Sequence, residues 1–360
     1  MATSQKTDNG SVLKYFLALA KIDSPTGEEQ RVAEYIVKSL KGKARVCMDS
    51  FGNVYSSIEG RGVPIFFSAH MDNVEPCRGV EPVIKKGYVL SDGSTVLGAD
   101  DKAAIAAMLA LADQLTARDH RPIEFIFTRS EESGNYGAIK FDYSLLSAKS
   151  GFCFDSSSPV GTVITASPYY DRFDLKIAGR TAHASKPSDG INSLLVLKEL
   201  LELQELGALD ADTLINIGIV RAGDARNAVP GELVAHGELR GFSDSLMGKH
   251  MAELKTRVER AAKKYGAQYF LDIVRENPGY KDAEKIAPSL MADARSAISA
   301  LGLQYREGSP WAVSDANIFI DKGYQCINLG YGGEKPHTKE ERIKLSELGR
   351  LIALMRELAR

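Results

Sequence analysis

The feature that most constrains the fold is an alternation of short apolar runs with helical runs at both ends of the chain. Strand-length runs of apolar or β-branched residues occupy Arg45–Met48, Val54–Ile58, Pro64–Ala69, Ile123–Thr128 and Gly151–Phe154. A helical run fills Lys102–Leu115, and the alternation returns near the end as Pro288–Leu301, Ser314–Asp321, Gln325–Leu329 (a strand) and Leu345–Leu358. This order predicts an α/β domain. Thr26 and Glu29 form a capping-box pattern, which predicts that a helix begins there.

The middle of the chain has a different order of elements, strand–helix–strand–strand–helix–strand. Its runs are Phe173–Ala178, Ile191–Gln204, Thr213–Val220, Leu233–Leu239, Ser245–Tyr265 and Gln268–Val274. This order is that of a ferredoxin-like α+β domain. Turn-forming residues flank it at Ser167-Pro168 and Asn277-Pro278-Gly279. We therefore predict a domain at 170–280 inserted into a discontinuous α/β domain of residues 1–169 and 281–360.

Length and charge exclude several classes of protein. The 360 residues are too many for one ordinary core, which supports the two-domain prediction. Lys and Arg total 45 against 47 Asp and Glu, so no nucleic-acid partner is predicted. The longest apolar run, Ala103–Ala112, is far shorter than the ~20 residues that span a bilayer. With no signal-peptide pattern at the start and no paired cysteines, we predict a cytoplasmic protein without a membrane partner.

Ionisable residues follow the carboxyl ends of several predicted strands. They are His70 and Asp72, Glu131 and Glu132, Asp155, and, a few residues after its strand, His337. In an open parallel sheet, ligands bind beyond the carboxyl ends of the strands. We therefore expect these side chains to lie together at one edge of the sheet.

Each of these residues, taken alone, also has a structural explanation. His70 alone is more often a hydrogen-bonded histidine than a metal ligand, and Asp100 directly precedes an apolar helix, where a helix cap is favoured. Glu131-Glu132 alone suggests a solvated acidic loop, Asp155 an Asx turn and His337 an exposed loop residue. Their joint placement at strand ends favours a shared site.

The spacing of these residues suits a metal centre. His70 and Asp72 are two apart and point to the same side of an extended chain, so Asp72 can fix the imidazole. Glu131 and Glu132 are adjacent and point in different directions, so one can bind metal while the other acts as a base. Asp100 offers two oxygens that can bridge two cations.

The motifs around these residues resemble those of the M20 family of metallopeptidases, in the family's order and closest to its peptidase T-like branch. They are His70–Asp72, Gly98–Lys102, Glu131–Gly134, Gly179–Ala184, Asn227–Pro230, Gly237–Arg240, Ser314–Ala316 and Pro336–Thr338. The order of the set, spread over nearly the whole chain, carries the resemblance. It implies a zinc-peptidase-like α/β/α catalytic domain and a ferredoxin-like insertion that acts as a lid or a dimerisation domain.

The resemblance also implies a role for each residue. His70 and Asp155 would bind one metal ion, Glu132 and His337 the other, and Asp100 would bridge them. Asp72 would support His70, and Glu131 would be the general base. In the inserted domain His183 would reach the scissile carbonyl oxygen, in many family members across a dimer, and Asn227 and Arg240 would contact the substrate.

The predicted activity is hydrolysis of peptide bonds with two divalent metal ions. Mixed nitrogen and oxygen donors favour Zn²⁺, although Co²⁺ or Mn²⁺ also fits. In the resembling family, Asp at the position of Asp155 accompanies aminopeptidases, so we expect action on short peptides such as tripeptides. A metal-dependent N-acyl-amino-acid hydrolase or carboxypeptidase is the alternative, and a non-catalytic binding module is a remote one. The insertion suits either a homodimer or a monomeric lid.

Phosphate-binding and serine-hydrolase chemistry lack their sequence signatures. The glycines between Gly93 and Gly98 are followed by Ala99-Asp100 rather than by Lys and Ser or Thr, and the chain has no GxSxG motif.

Overall fold

The computed structural model describes residues 2–115 and 120–360. Within these ranges no helix combines the length and the apolar character needed to cross a membrane. The chain divides into two compact units. The first unit comprises Met1–Ala166, Asp282–Pro310 and Ser314–Arg360, and the second comprises Ser167–Lys281 with Trp311–Val313.

The first unit is built on an eight-stranded mixed sheet. In spatial order its strands are Arg45–Met48, Val54–Ile58, Ile123–Thr128, Ile65–His70, Ser150–Ser156, Gln325–Gly330, Thr162–Ile164 and Arg306–Gly308. The run from Ile123–Thr128 to Gln325–Gly330 is parallel throughout. Because parallel strands carry helices on both faces, the strands in this run are apolar and almost wholly buried.

Helices cover this sheet. They are Ala2–Ala20, Gln30–Leu40, Ala99–Ala112, Tyr136–Lys140, Ala283–Ile286, Pro288–Ala300, Asp315–Asp321 and Leu345–Leu358. Ala99–Ala112 is apolar on every side and is buried along nearly its whole length. Successive strand residues face opposite sides of the sheet, so Phe66 packs on Phe319 while Phe67 packs on Phe154. A small antiparallel sheet of Gly333–Glu334, Arg342–Lys344, Tyr88–Leu90 and Val83–Lys85 completes the unit.

The second unit is built on a five-stranded antiparallel sheet and two helices, and Ala182–His183 pairs with Ala228–Val229 in a separate two-stranded sheet. The sheet order is Gly207–Ala208, Thr213–Ala222, Glu232–Gly241, Tyr169–Ala178 and Gln268–Asn277. The helices Ser193–Leu203 and Asp244–Tyr265 share a core with the alternate residues Phe173, Leu175 and Ile177 of the central strand. The four long strands have the connectivity of a ferredoxin-like domain. The predicted fold class, an α/β domain with an inserted α+β domain, is confirmed.

The start of the second helix differs from its prediction. The helix begins at Gln30, and Thr26 does not cap it. Thr26 Oγ1 instead donates to Asp72 Oδ2 at 2.8 Å. The Glu29 carboxylate accepts from the Gly27 amide at 2.8 Å and pairs with Arg129 Nε at 2.7 Å. The capping-box pattern is therefore used for contacts with other parts of the chain.

Candidate metal centre

The ionisable residues named from the sequence gather at the carboxyl ends of neighbouring parallel strands. His70 is the last residue of its strand, Asp155 lies near the end of the next strand, and Glu131 and Glu132 follow the strand on the other side. His337 lies in the turn that follows Gln325–Gly330 and the short strand Gly333–Glu334. The adjacency of these strands is what brings residues from distant parts of the sequence together.

His70 is buried and lies close to three carboxylates of this group. Its Nε2 lies 3.4 Å from Asp100 Oδ1 and 3.8 Å from Asp155 Oδ1. Its Nδ1 lies 3.1 Å from the carbonyl oxygen of Asp72 and 3.4 Å from Asp72 Oδ1. One ring nitrogen therefore faces the carboxylates of Asp100 and Asp155, while Asp72 holds the other.

A second imidazole completes the group. His337 Nε2 lies 3.0 Å from Glu132 Oε1 and 3.4 Å from Asp100 Oδ2. Asp100 thus touches His70 with one oxygen and His337 with the other. The contacts run in one series, Asp155–His70–Asp100–His337–Glu132, with Asp100 at its centre.

Asp72 connects the imidazole side of the site to the glutamate pair. Besides His70 and Thr26, its carboxylate accepts hydrogen bonds from the backbone N–H groups of Glu131 at 3.0 Å and Glu132 at 3.2 Å. Asp72 is fully buried. A single carboxylate therefore orients both His70 and the loop that carries the two glutamates.

The two adjacent glutamates have different surroundings. Glu132 pairs with His337, whereas Glu131 Oε1 accepts from Asn135 Nδ2 at 2.7 Å. Asn135 Nδ2 also donates to Asp315 Oδ1 at 2.9 Å, and Asp315 in turn accepts from the Thr128 hydroxyl. Glu131 is thus tied to a buried polar network, and Glu132 is directed at the second imidazole.

The electrostatics reflect a concentration of buried negative charge. Burial, together with neighbouring carboxylates, raises the pKa of Glu131 and of Asp155 well above the usual carboxyl range. Burial lowers the pKa of His70, but its contacts with Asp100 and Asp72 outweigh this effect and hold that pKa well above its ordinary value. Hydrogen bonds that the His337 ring donates to the carboxylates of Asp100 and Glu132 raise the pKa of His337 to about 10. A divalent cation bound here would offset the negative charge of these carboxylates.

The donor set fits such a cation. One ligand atom from each of His70, Asp100 and Glu132 lies within 4.8 Å of the others, and His70, Glu131 and Asp155 meet the same condition. Among the described residues, none hydrogen-bonds to the buried Asp155 Oδ2. Imidazole nitrogens combined with carboxylate oxygens are the donors of catalytic zinc and related sites.

The second unit carries the other residues named from the sequence. His183 and Asn227 are exposed. The strand Ala182–His183 pairs with Ala228–Val229, and the Asn227 carbonyl accepts from the Ala184 amide at 2.9 Å. His183 Nδ1 lies 2.8 Å from Ser185 Oγ. The structure therefore places His183 and Asn227 in the same short β-ribbon, with Ala228 directly opposite His183 and Asn227 bonded through its backbone to Ala184.

Arg240 lies at the other end of the second unit's sheet. Its Nη2 pairs with Glu238 Oε2 at 3.1 Å, and its Nη1 donates to the Trp311 carbonyl at 2.9 Å. The guanidinium stacks on the Tyr170 ring, 4.7 Å from the centroid. Arg240 is held in place, but it is not a neighbour of His183 or Asn227 within this sheet.

Sequence reasoning assigned no role to several buried polar residues around the centre. Asp101 Oδ2 accepts from the His70 backbone N–H at 3.3 Å, and Asn135 donates to Glu131 and also to Asp315. Asp315 lies in the Ser314–Ala316 motif of the resemblance, and this motif was the sequence feature that could have indicated a role for it. Glu341 lies in the charged run Lys339–Arg342 and has nothing in the sequence to separate it from exposed Glu340.

The α/β fold and the imidazole–carboxylate cluster at its strand ends define a metal-dependent hydrolase. The pattern of Peptidase family M20/M25/M40 matches residues 66–360. The chain belongs to this family, and it is a peptidase of the peptidase T-like branch, as the sequence motifs predicted.

Individual relatives agree with this assignment. The uncharacterized protein YqjE of Bacillus subtilis is 32% identical over 97% of this chain and 98% of its own length. The crystal structure of a tripeptidase from Staphylococcus aureus is 30% identical, with a TM-score of 0.91 over 98% of this chain and 97% of that one. The aminopeptidase PepT from Bacillus cereus is also 30% identical, with a TM-score of 0.87 over 98% of each chain.

Proposed function

We propose that this peptidase uses two zinc ions to remove the N-terminal residue from short peptides such as tripeptides. The observation that carries the proposal is the position of Asp100, whose two carboxylate oxygens each face a different imidazole. His70 and Asp155 would hold one ion and His337 and Glu132 the other, with Asp100 shared between them. The tripeptidase and aminopeptidase relatives support the choice of substrate.

Bound zinc would supply positive charge that polarises the scissile carbonyl and acidifies a water molecule. Glu131 takes the proton from that water and later gives it to the departing amine. Asn135 donates to Glu131 Oε1, so we assign the proton to Oε2. Glu131 is buried beside the proposed ligands, and its hydrogen bond with Asn135 fixes the carboxylate for this exchange.

We further infer that a second copy of the chain completes the substrate site. Glu232 and Arg240 are eight residues apart on one uninterrupted strand, which separates them by roughly 26 Å. The pairing of His183 with Ala228 lies beyond the Glu232 end. An extended tripeptide is only about 10 Å long, so it is too short to touch both Arg240 and His183 of one subunit. An Arg240 and a His183 that contact the same substrate molecule would therefore come from different subunits, with Asn227 supplied by the same subunit as His183.

The second unit has a surface suited to such a homodimer. Beyond its short pairing with Gly207–Ala208, the strand Thr213–Ala222 has no partner on its outer side within the described residues. Ile219 and Val220 are exposed there, and Leu194, Leu195 and Leu201 are exposed on the helix Ser193–Leu203. An unpaired edge with apolar side chains favours association with a like edge. Light scattering tests the dimer, and a monomer at assay concentration would exclude it.

Metal content and a pair of matched substrates test the proposed activity. Elemental analysis of the protein should find two zinc ions per chain, and a chelator should abolish hydrolysis until zinc, cobalt or manganese is restored. A tripeptide with a free amino terminus should be cleaved, while its N-acetylated form should not. Preference for the acetylated peptide would instead indicate an N-acyl-amino-acid hydrolase. Absence of both metal and activity after adding each cation would indicate a binding module.

A further inference from the structure

Glu341 is a buried carboxylate outside the series of metal-facing residues. It is 2% exposed although it lies in a charged run, and its neighbour Glu340 is exposed. Its Oε2 accepts hydrogen bonds from the backbone N–H groups of Leu97 at 2.8 Å and Gly98 at 2.7 Å. Its Oε1 accepts from the N–H of Asp100 at 3.0 Å. A single side chain thus binds three amides of the turn that presents Asp100.

This turn needs an acceptor from elsewhere in the chain. The first N–H groups of a helix have no partner within the helix, and Gly98 at the N-cap position has no side chain to cap them. Asp100 itself has non-helical backbone angles (φ −81°, ψ 105°), so its amide does not enter the regular helical pattern. Its carboxylate is directed at the imidazoles instead of at the helix end. Glu341 therefore supplies the acceptor for the N–H of Asp100 at the start of the helix and for the N–H groups of Leu97 and Gly98 just before it.

Glu341 is also connected to His337. The two are four residues apart, and the Glu341 N–H donates to the Thr338 carbonyl at 3.0 Å, which closes the turn that follows His337. His337 has a left-handed backbone (φ 59°), so its side-chain direction depends on how this turn is held. One residue thereby joins the turn of Asp100 to the turn of His337.

We propose that Glu341 is a positioning residue that sets the distance between Asp100 and His337 and thereby the affinity of the second metal position. The proposal rests on the two-metal centre of the proposed function. Outer contacts that orient metal ligands typically change metal affinity by roughly 10- to 100-fold when they are removed. Glu341 is such a contact, because it binds the backbone N–H of Asp100 and closes the turn that follows His337.

The experiment compares zinc binding by the full-length wild type and by Glu341→Gln, using competition with a chromophoric chelator. An amide has one acceptor oxygen with two lone pairs, so at least one of the three N–H groups loses its acceptor while side-chain volume is kept. We expect the weaker of the two zinc sites to lose about 10- to 100-fold in affinity. The absorption bands of the cobalt-loaded variant should also change, since they report coordination geometry.

Two control variants separate positioning from stability and from charge. Glu124 is another buried carboxylate that accepts from backbone amides, those of Ser147 and Ala148, away from the proposed ligands. Glu124→Gln should lower the melting temperature without changing zinc affinity. Glu340→Gln removes the same charge from the adjacent, exposed position and should also leave zinc affinity unchanged.

The outcomes are distinct. If the wild type binds no zinc, the proposed function and this inference both fall. If the wild type binds two zinc ions and Glu341→Gln binds them equally well with the same cobalt spectrum, only the role of Glu341 is overturned. A loss of affinity of equal size in Glu340→Gln would assign the effect to charge and would also overturn it. If Glu341→Gln does not fold, zinc is titrated into Glu341→Asp instead, because the shorter side chain withdraws both oxygens from the three amides. Wild-type zinc affinity in Glu341→Asp would overturn the proposal.

Discussion

In the first unit, most residues of the metal centre are buried and His337, whose side chain is 50% exposed, contacts two largely buried carboxylates, whereas in the second unit His183 and Asn227 are exposed side chains. Asp72, for instance, accepts from Thr26, Glu131 and Glu132. His183 has a hydrogen-bond contact with Ser185, its own near neighbour in the chain. Buried networks keep a fixed geometry, while exposed side chains adjust when a ligand arrives. Substitutions in the first unit should therefore alter metal content or proton transfer, and those in the second should alter contacts with the substrate or its developing oxyanion while metal content stays the same.

The largest effect is expected for Glu131→Ala. Loss of a general base typically costs about 10² to 10⁴ in kcat, and Glu131 is not one of the five proposed ligands, so both zinc ions should remain. The measurement is kcat on a tripeptide together with zinc content by elemental analysis. Glu132→Ala is the matched control, and it should lose zinc as well as activity. If Glu131→Ala loses zinc to the same extent, the assigned roles of the two glutamates are reversed.

His183→Ala tests whether the exposed residues of the second unit take part in chemistry. Removal of a donor to the developing oxyanion typically costs about 10² in kcat, without loss of metal. Mixing His183→Ala with Glu131→Ala sharpens the test, because a mixed dimer would contain one site with both groups intact if His183 acts across the interface. Recovered activity on mixing is the expected result. No recovery under conditions where subunits exchange would place His183 and Glu131 in the same subunit's site.

The sequence predicted the strands and helices well because their patterns are local. Val54–Ile58, Ile123–Thr128 and Leu345–Leu358 have the predicted bounds. The prediction of a capping box at Thr26 and Glu29 was wrong, because both side chains bind groups far away in sequence. Thr26 binds Asp72 and Glu29 binds Arg129. A local pattern carries no information about competing partners that only the folded chain brings near.

Whether the sequence reveals a site residue depends in the same way on how far away its partners lie in the chain. His70, Asp100 and His337 were visible because imidazoles and carboxylates beside strand or helix ends are a recognisable chemical pattern. Asn135 and Glu341 were invisible because their roles consist of hydrogen bonds to residues that fold next to them. A residue that binds a metal ion through its own side chain can be recognised by its type and position in the sequence. A residue that only positions such a ligand has no comparable sequence pattern.

Asn135→Ala tests the buried network that supports Glu131. The side chain donates to both Glu131 and Asp315, so its removal leaves two buried carboxylates close together without the shared donor. We expect kcat to fall about 10-fold while KM and zinc content stay the same, because a misplaced base slows proton transfer and leaves binding intact. Steady-state kinetics and elemental analysis measure both.

A second buried asparagine provides the control for that substitution. Asn53 donates to Asp49 Oδ2 at 2.7 Å and to the Gly137 carbonyl at 3.1 Å, accepts from the Arg129 backbone N–H at 3.0 Å, and within the described residues has no hydrogen bond with Glu131. Asn53→Ala should cost stability, seen as a lower melting temperature, with kcat of the folded enzyme unchanged. Equal falls in kcat for the two variants would show that general loosening of the unit, and not the orientation of Glu131, accounts for the effect.

Arg240→Ala should have the smallest effect on catalysis, and we expect it to appear in KM. If Arg240 contacts the substrate in both the ground state and the transition state, its loss raises KM by roughly 3- to 10-fold and leaves kcat nearly unchanged. Arg172 on the neighbouring strand is a matched control, since its guanidinium is similarly exposed and pairs with Glu276 at 2.9 Å. Arg172→Ala should leave KM unchanged. A fall in kcat for Arg240→Ala at constant KM would instead mean that Arg240, like His183, acts in the transition state and is not a ground-state substrate contact.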